Sequence, residues 1–153
     1  MSVPLKYEGR GDDARPMDHL RAVYEDDVVQ LFWDTKAAYH IAEWHGFAKD
    51  DRLRHAAHAC MYAARERRSA RWLADIGDFS VIGPDDQAWI ASEFYPRLVE
   101  AGLRFMAIVL PVKAVAQLSL RQANAAYGAN GPLVFEYFGT RAAAARWLDA
   151  QLA

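Results

Sequence analysis

The stretch that decides the fold is Leu103 to Leu110, which reads LRFMAIVL. It is apolar apart from Arg104, it follows Ala101-Gly102, and Pro111 closes it. A run of that length and character suits a central strand covered on both faces, as in a parallel sheet. Upstream, Gly83-Pro84-Asp85-Asp86 opens a helix, because Pro suits the first helical position and carboxylates suit the first turn. That helix carries Trp89, Ile90, Phe94, Leu98 and Val99, and Pro96 within it predicts a bend. Gly102 then supplies the stop. Downstream, helical spacing resumes through Val115, Leu118 and Ala123 and ends in the breaker cluster Tyr127 to Pro132. Leu133 to Phe138 reads as the last strand. Thr140 caps a closing helix in which Ala144, Trp147, Leu148 and Leu152 face one way.

The amino-terminal half has a different rhythm. Val28 to Asp34 (VVQLFWD) is rich in β-branched and aromatic residues and reads as a strand, with Leu20 to Glu25 as a candidate edge segment before it. Across a short connection at Thr35 to Ala37, Ala38 to Trp44 alternates Tyr39, Ile41 and Glu43 against Ala38, His40, Ala42 and Trp44. The two strands predict a hairpin. A helix from about Asp50 to Arg68 follows, acidic at its start, arginine-rich at its end, and striped with Leu53, Ala57, Cys60, Met61 and Ala64. Arg71 to Ile76 is the next strand. A hairpin followed by alternating helix and strand predicts an α/β fold: a mixed, mainly parallel sheet of five strands with about four helices and right-handed crossovers.

The chain has 153 residues, 53% of them hydrophobic and 25% charged, which fits one domain with its own core. Residues 1–19 are expected to be a flexible tail and 20–153 a single domain. With 18 basic against 20 acidic residues the net charge is -2, so no overall field draws nucleic acid or an anionic membrane. Cys60 is the sole cysteine, which excludes an intramolecular disulfide. The first nineteen residues lack the apolar core of a signal peptide, and Phe105 to Val112 is far short of the roughly twenty residues that cross a bilayer. A cytoplasmic location is the expectation.

From Trp72 onward, the segments WLADIGDFSVIGPDDQAWI, PRLVEAGLRFMAIVLP and VFEYFGTRAAAARWL resemble the STAS family, the domain shared by sulfate transporters and anti-sigma-factor antagonists. In that family a strand ends in an aspartate-containing turn, a helix follows, a Gly precedes an apolar strand, and a late helix is Ala-rich. Asp75, Gly102 and Ala145 stand at the corresponding places. The hairpin up to Glu43-Trp44-His45-Gly46-Phe47 and the helix after it are similar to a group of uncharacterised bacterial relatives with that fold. The resemblance implies a regulatory or interaction role. Antagonist members carry a phosphorylatable Ser or Thr where this chain reads Gly83-Pro84-Asp85-Asp86, so a kinase-operated switch is not expected there. Ser80 lies on the wrong side of Gly83, and a lone Asp85 carries less charge than a phosphoryl group.

Four constellations invite chemistry. His55, His58 and Cys60 are zinc-ligand types, but Cys60 points nearly opposite to His58 on a helix, and His40 and His45 fall on opposite faces of a strand. No metal and no cofactor is expected. Asp75, Asp78, Asp85 and Asp86 gather near the carboxyl end of a strand, where open α/β sheets place their crevice. Helix-start duty for Asp85 and Asp86 and turn-shaping for Asp75 and Asp78 are the favoured account of them. Arg65, Arg67, Arg68 and Arg71, beside Tyr62 and Trp72, are the one basic concentration, and a helix end complementing its own dipole accounts for them more simply than RNA. Ser80, Ser119 and Cys60 sit in no nucleophile motif. Trp33, Trp44, Trp89, Tyr95 and Trp147 read as packing aromatics, with Trp89 and Tyr95 expected partly outside the core and so available to a partner. The sequence thus favours a non-enzymatic module that docks a protein, itself included, around Asp75, Asp78, Asp85, Asp86, Trp89 and Tyr95. The rival is a small-molecule binder or enzyme using the acids as crevice groups.

Overall fold

The computed structural model describes residues 19–128 and 131–151. Except for His19, the expected tail lies outside the described residues, as do Ala129 and Asn130 of the breaker cluster and Leu152 of the closing helix. The strands are β1 (Leu20–Glu25), β2 (Val29–Asp34), β3 (Tyr39–Gly46), β4 (Arg71–Phe79), β5 (Phe105–Val109) and β6 (Val134–Phe138). They lie side by side in the order of the sequence. β1, β2 and β3 pair antiparallel, and β3 through β6 pair parallel. The mixed sheet and the hairpin are therefore as expected, with six strands in place of five. β1 is the sixth: its side chains are mostly exposed, so it carries little of the alternation by which strands are read. β5 is an inner, buried strand, but it stands next to the edge strand β6 and not at the centre of the sheet, which falls between β3 and β4.

Helices α1 (Asp50–Glu66), α2 (Pro84–Trp89), α3 (Tyr95–Glu100) and α4 (Ala114–Tyr127) connect the parallel strands, and α5 (Arg141–Ala150) closes the chain. α2 and α3 run together through a π turn at Ile90–Phe94, making one interrupted helix and four helical segments in all. The interruption expected at Pro96 takes this form: the wider turn comes just ahead of a residue with no backbone donor. Gly102 has φ 111°, the left-handed stop that glycine tolerates. The Thr140 hydroxyl accepts a hydrogen bond from the Ala143 amide at 3.2 Å and caps α5 as expected.

Alternation along the strands divides the core between two faces. One cluster joins Ala42, Trp44, Trp72, Ala74, Met106 and Ile108 to the helices α1 to α4. The other joins Phe32, Tyr39, Ile41, Leu73, Ala107 and Val109 to Ala144 and Leu148 of α5. A single ten-residue helix covers that second face, so its polar positions must be satisfied at or near α5.

Candidate functional site

Glu43 and Asp75 are paired neighbours on β3 and β4, and both occupy the face that α5 covers. Both are buried, where an isolated carboxylate would be costly. Arg141, the first residue of α5, meets them: its Nε donates to Asp75 at 2.6 Å and its Nη2 donates to Glu43. Asp75 also accepts the Gly77 amide at 2.9 Å. Burial alone draws the guanidinium pKa down, and the two carboxylates in contact hold its charge in place. Past Glu43 the β3–β4 register slips, bringing His45 opposite Asp78. His45 Nε2 stands 3.0 Å from Glu43, and Nδ1 stands 4.0 Å from the exposed Asp78. The Glu43 contact is the chief reason that the His45 pKa rises above the usual histidine value, with Asp78 and Asp75 adding to it and burial opposing.

The other expected residues have separate duties. Asp86 is buried and accepts the Asp50 amide at 3.0 Å and an Arg54 nitrogen at 3.4 Å, so it caps the start of α1 rather than its own helix. Asp85 is exposed in the first turn of α2. Trp89 is half-buried, with the Arg54 guanidinium 5.4 Å from its ring and His58 edge-on at 5.6 Å. Tyr95, expected to reach partly outside, is 4% exposed. It donates to Asn124 at 2.6 Å, and Asn124 in turn donates to Tyr137 at 2.9 Å. The six residues therefore form no single constellation. Asp75 and Asp78 belong to the Arg141 cluster, while Asp85, Asp86 and Trp89 lie along α2.

Sequence reasoning missed Glu43, His45 and Arg141 as a group. Glu43 carried a signal, since it alternates with Tyr39 and Ile41 on a face that must be buried, and a buried carboxylate requires a partner. Its partner comes from almost a hundred residues further on, which no local pattern reveals.

The arginines at the end of α1 are largely occupied with the fold. Arg71 donates to the Ala37 carbonyl at 2.6 Å and the Leu148 carbonyl at 3.2 Å, and Arg68 donates to the Glu100 carbonyl at 3.3 Å. His55 and His58 are exposed and Cys60 is buried. Among the described residues no three or more His, Cys, Asp or Glu side chains gather as metal ligands do, and no helix is long and apolar enough to cross a membrane.

The apolar surface lies elsewhere. α4 buries Ala116, Ser119, Leu120 and Ala123. Val115 and Leu118, two of the residues whose spacing announced that helix, are 60% and 56% exposed, and Val112 ahead of it is 86% exposed. The stripe lies on a helix packed beside α2: Ser119 Oγ accepts the Ile82 amide at 3.0 Å, and Gln87 donates to Gln122 at 3.2 Å.

Neither a protein-family model nor a curated protein matches the chain. It is similar to a solved structure of an uncharacterized protein from the DUF3478 family with a SpoIIAA-like fold, from Shewanella loihica PV-4. Identity is 16% over 84% of this chain and 91% of that one, with a TM-score of 0.49. That fold is the STAS-like one which the sequence resembles.

Proposed function

We propose that the protein is a non-enzymatic interaction module that docks a protein partner, a second copy of itself included, through the surface shared by α2 and α4. The observation that carries this reading is the exposed stripe Val112, Val115 and Leu118. Val115 and Leu118 on the outside of α4 and Val112 just ahead of it leave apolar area in water, and a docked surface would gain free energy by burying it. Asp85 is exposed on the neighbouring α2 and supplies a polar border. The acids that a catalytic crevice would need are committed elsewhere: Asp75 to Arg141 and Asp86 to the start of α1.

Light scattering on purified protein, together with affinity capture from the native extract, tests the reading with Leu118→Asp, Asp85→Ala and Trp89→Ala. Leu118→Asp should abolish self-association or captured partners while leaving the unfolding midpoint unchanged, because Leu118 is already in solvent. Unchanged association in all three variants removes this surface from consideration.

A further inference from the structure

A cleft of about 390 Å³ lies between β1 and the last turns of α1, within the roughly 300–1,000 Å³ of small-molecule sites. It is on the α1 side of the sheet, away from Arg141. Its floor belongs to a row of side chains crossing the strands, in which Trp33 pairs with His40 and His40 with Trp72. The His40 ring sits 4.7 Å from the Trp33 ring and 4.9 Å from the Trp72 ring. His40 lines the cleft, is 1% exposed, and its Nε2 has no hydrogen-bond partner among the described residues. A buried nitrogen left without a partner is costly, and a ligand reaching the floor would satisfy it.

The strand above is shaped for the same space. In β1, Ala22 pairs with Phe32 and Tyr24 with Leu31, leaving Val23 as an extra residue. Regular alternation would send Val23 and Tyr24 to opposite faces, yet both line the cleft, which the bulge permits. Facing them on α1 are the small side chains Ala59 and Ala63 and the ring of Tyr62. Arg67, just past the end of α1, brings its guanidinium to the rim, 5.6 Å from the Trp33 ring. Glu66 also lines the cleft, and it is engaged with the Tyr62 hydroxyl.

The geometry points to a binding site for a small aromatic carboxylate, its ring between Tyr24 and the Ala59–Ala63 face and its carboxylate between Arg67 and His40 Nε2. Flat walls of alanine and tyrosine suit a planar ring. One guanidinium beside Glu66 suits a single negative charge better than the double charge of a phosphate monoester. An anion beside His40 favours the protonated imidazole, so binding takes up a proton.

Benzoate titrated into the full chain tests the site, by calorimetry in two buffers of different ionisation enthalpy near about pH 6 and by nitrogen NMR of the histidine rings. The expected results are saturable binding, proton uptake and a shift of the His40 Nε2 resonance. Arg67→Gln should weaken binding by about tenfold. Ala59→Phe, which fills the cleft from a partly exposed helix position, should abolish binding while the protein stays folded. Benzamide, with the same ring and no charge, should bind more weakly. Absence of saturable benzoate binding, or equal binding by wild type and Ala59→Phe, overturns the site, and a silent His40 overturns the assigned pose.

Discussion

His40 and His45 stand on one strand, face opposite sides of the sheet, and are pushed in opposite directions. Burial, with Arg67 adding to it, lowers the His40 pKa from 6.5 to about 4. Below the ordinary histidine value the unfolded chain therefore binds this proton more readily than the folded one. The His40 contribution is complete above that value and is lost as pH falls toward about 4, by about 3 kcal/mol in all. His45 is raised, first by its hydrogen bond to Glu43, so its contribution is complete below the ordinary value and is lost as pH rises through the folded one. The charged groups facing it are Glu43, Asp75 and Asp78, with Arg141 reaching Glu43 and Asp75 from α5. Urea unfolding across a pH series should show both limbs: His40→Leu should flatten the acid side and His45→Gln the alkaline side. Arg141 is a sharper case. Arg141→Met leaves two buried carboxylates facing each other and should cost about 3–5 kcal/mol, whereas Glu43→Gln leaves Arg141 paired with Asp75 and should cost less. Equal losses for these two variants would show that the buried charges do not act as a balanced set.

Single elements depend on neighbours that their own sequence does not name. α1 begins at Asp50 with φ 51°, and the Lys49 side chain makes no capping bond, so its first turn relies on Asp86 from α2. Asp86→Ala should therefore destabilise the protein by about 1 kcal/mol, and Asp86→Asn by less, because the amide oxygen still accepts. Hydrogen exchange should place the loss at the Asp50 amide and the first turn of α1, although the substituted residue lies in α2. The sequence marked Asp86 correctly as a helix-start acid, but only tertiary packing decides which helix it starts. α4 shows the same limit. Its periodicity through Val115 and Leu118 announced a helix, and a helix is there, yet the side turned to the sheet carries Ala116, Ser119, Leu120 and Ala123. Large apolar side chains dominate a pattern read from sequence, whereas close packing on a sheet is served by small ones. The bulge in β1 left no mark at all, since Val23 is an ordinary strand residue whose displacement is set by its partner strand.

For the molecule as a whole, the hairpin, the parallel strands and the helices between them were legible because each rests on local periodicity and on Gly and Pro punctuation. The pairing of Arg141 with Glu43 and Asp75 was not, because it joins residues far apart in the chain on the face covered by α5. The opposite face, under α1, the interrupted α2–α3 helix and α4, is imperfectly filled. Between β3, β4 and β5 and the helices lies an apolar cavity of about 60 Å³, lined by Trp44, Trp72, Ala74, Phe94, Tyr95 and Ile108 among others. The π turn forms part of its wall, since Ile90 and Phe94 also line it. The Tyr95 hydroxyl is spent on Asn124, leaving water few polar partners inside, so the space weakens dispersion contacts without hydration to offset the loss. At about 24 cal/mol per Å³, filling it is worth about 1 kcal/mol. Ala74→Val adds volume from β4, where a β-branched side chain suits the backbone, and should raise the unfolding midpoint by about 2–4 °C. Ala74→Leu at the same position should overfill the space and lower the midpoint below wild type. If Ala74→Val also unfolds below the wild-type temperature, the helices close over the space in solution and the sheet is as tightly packed on this face as under α5.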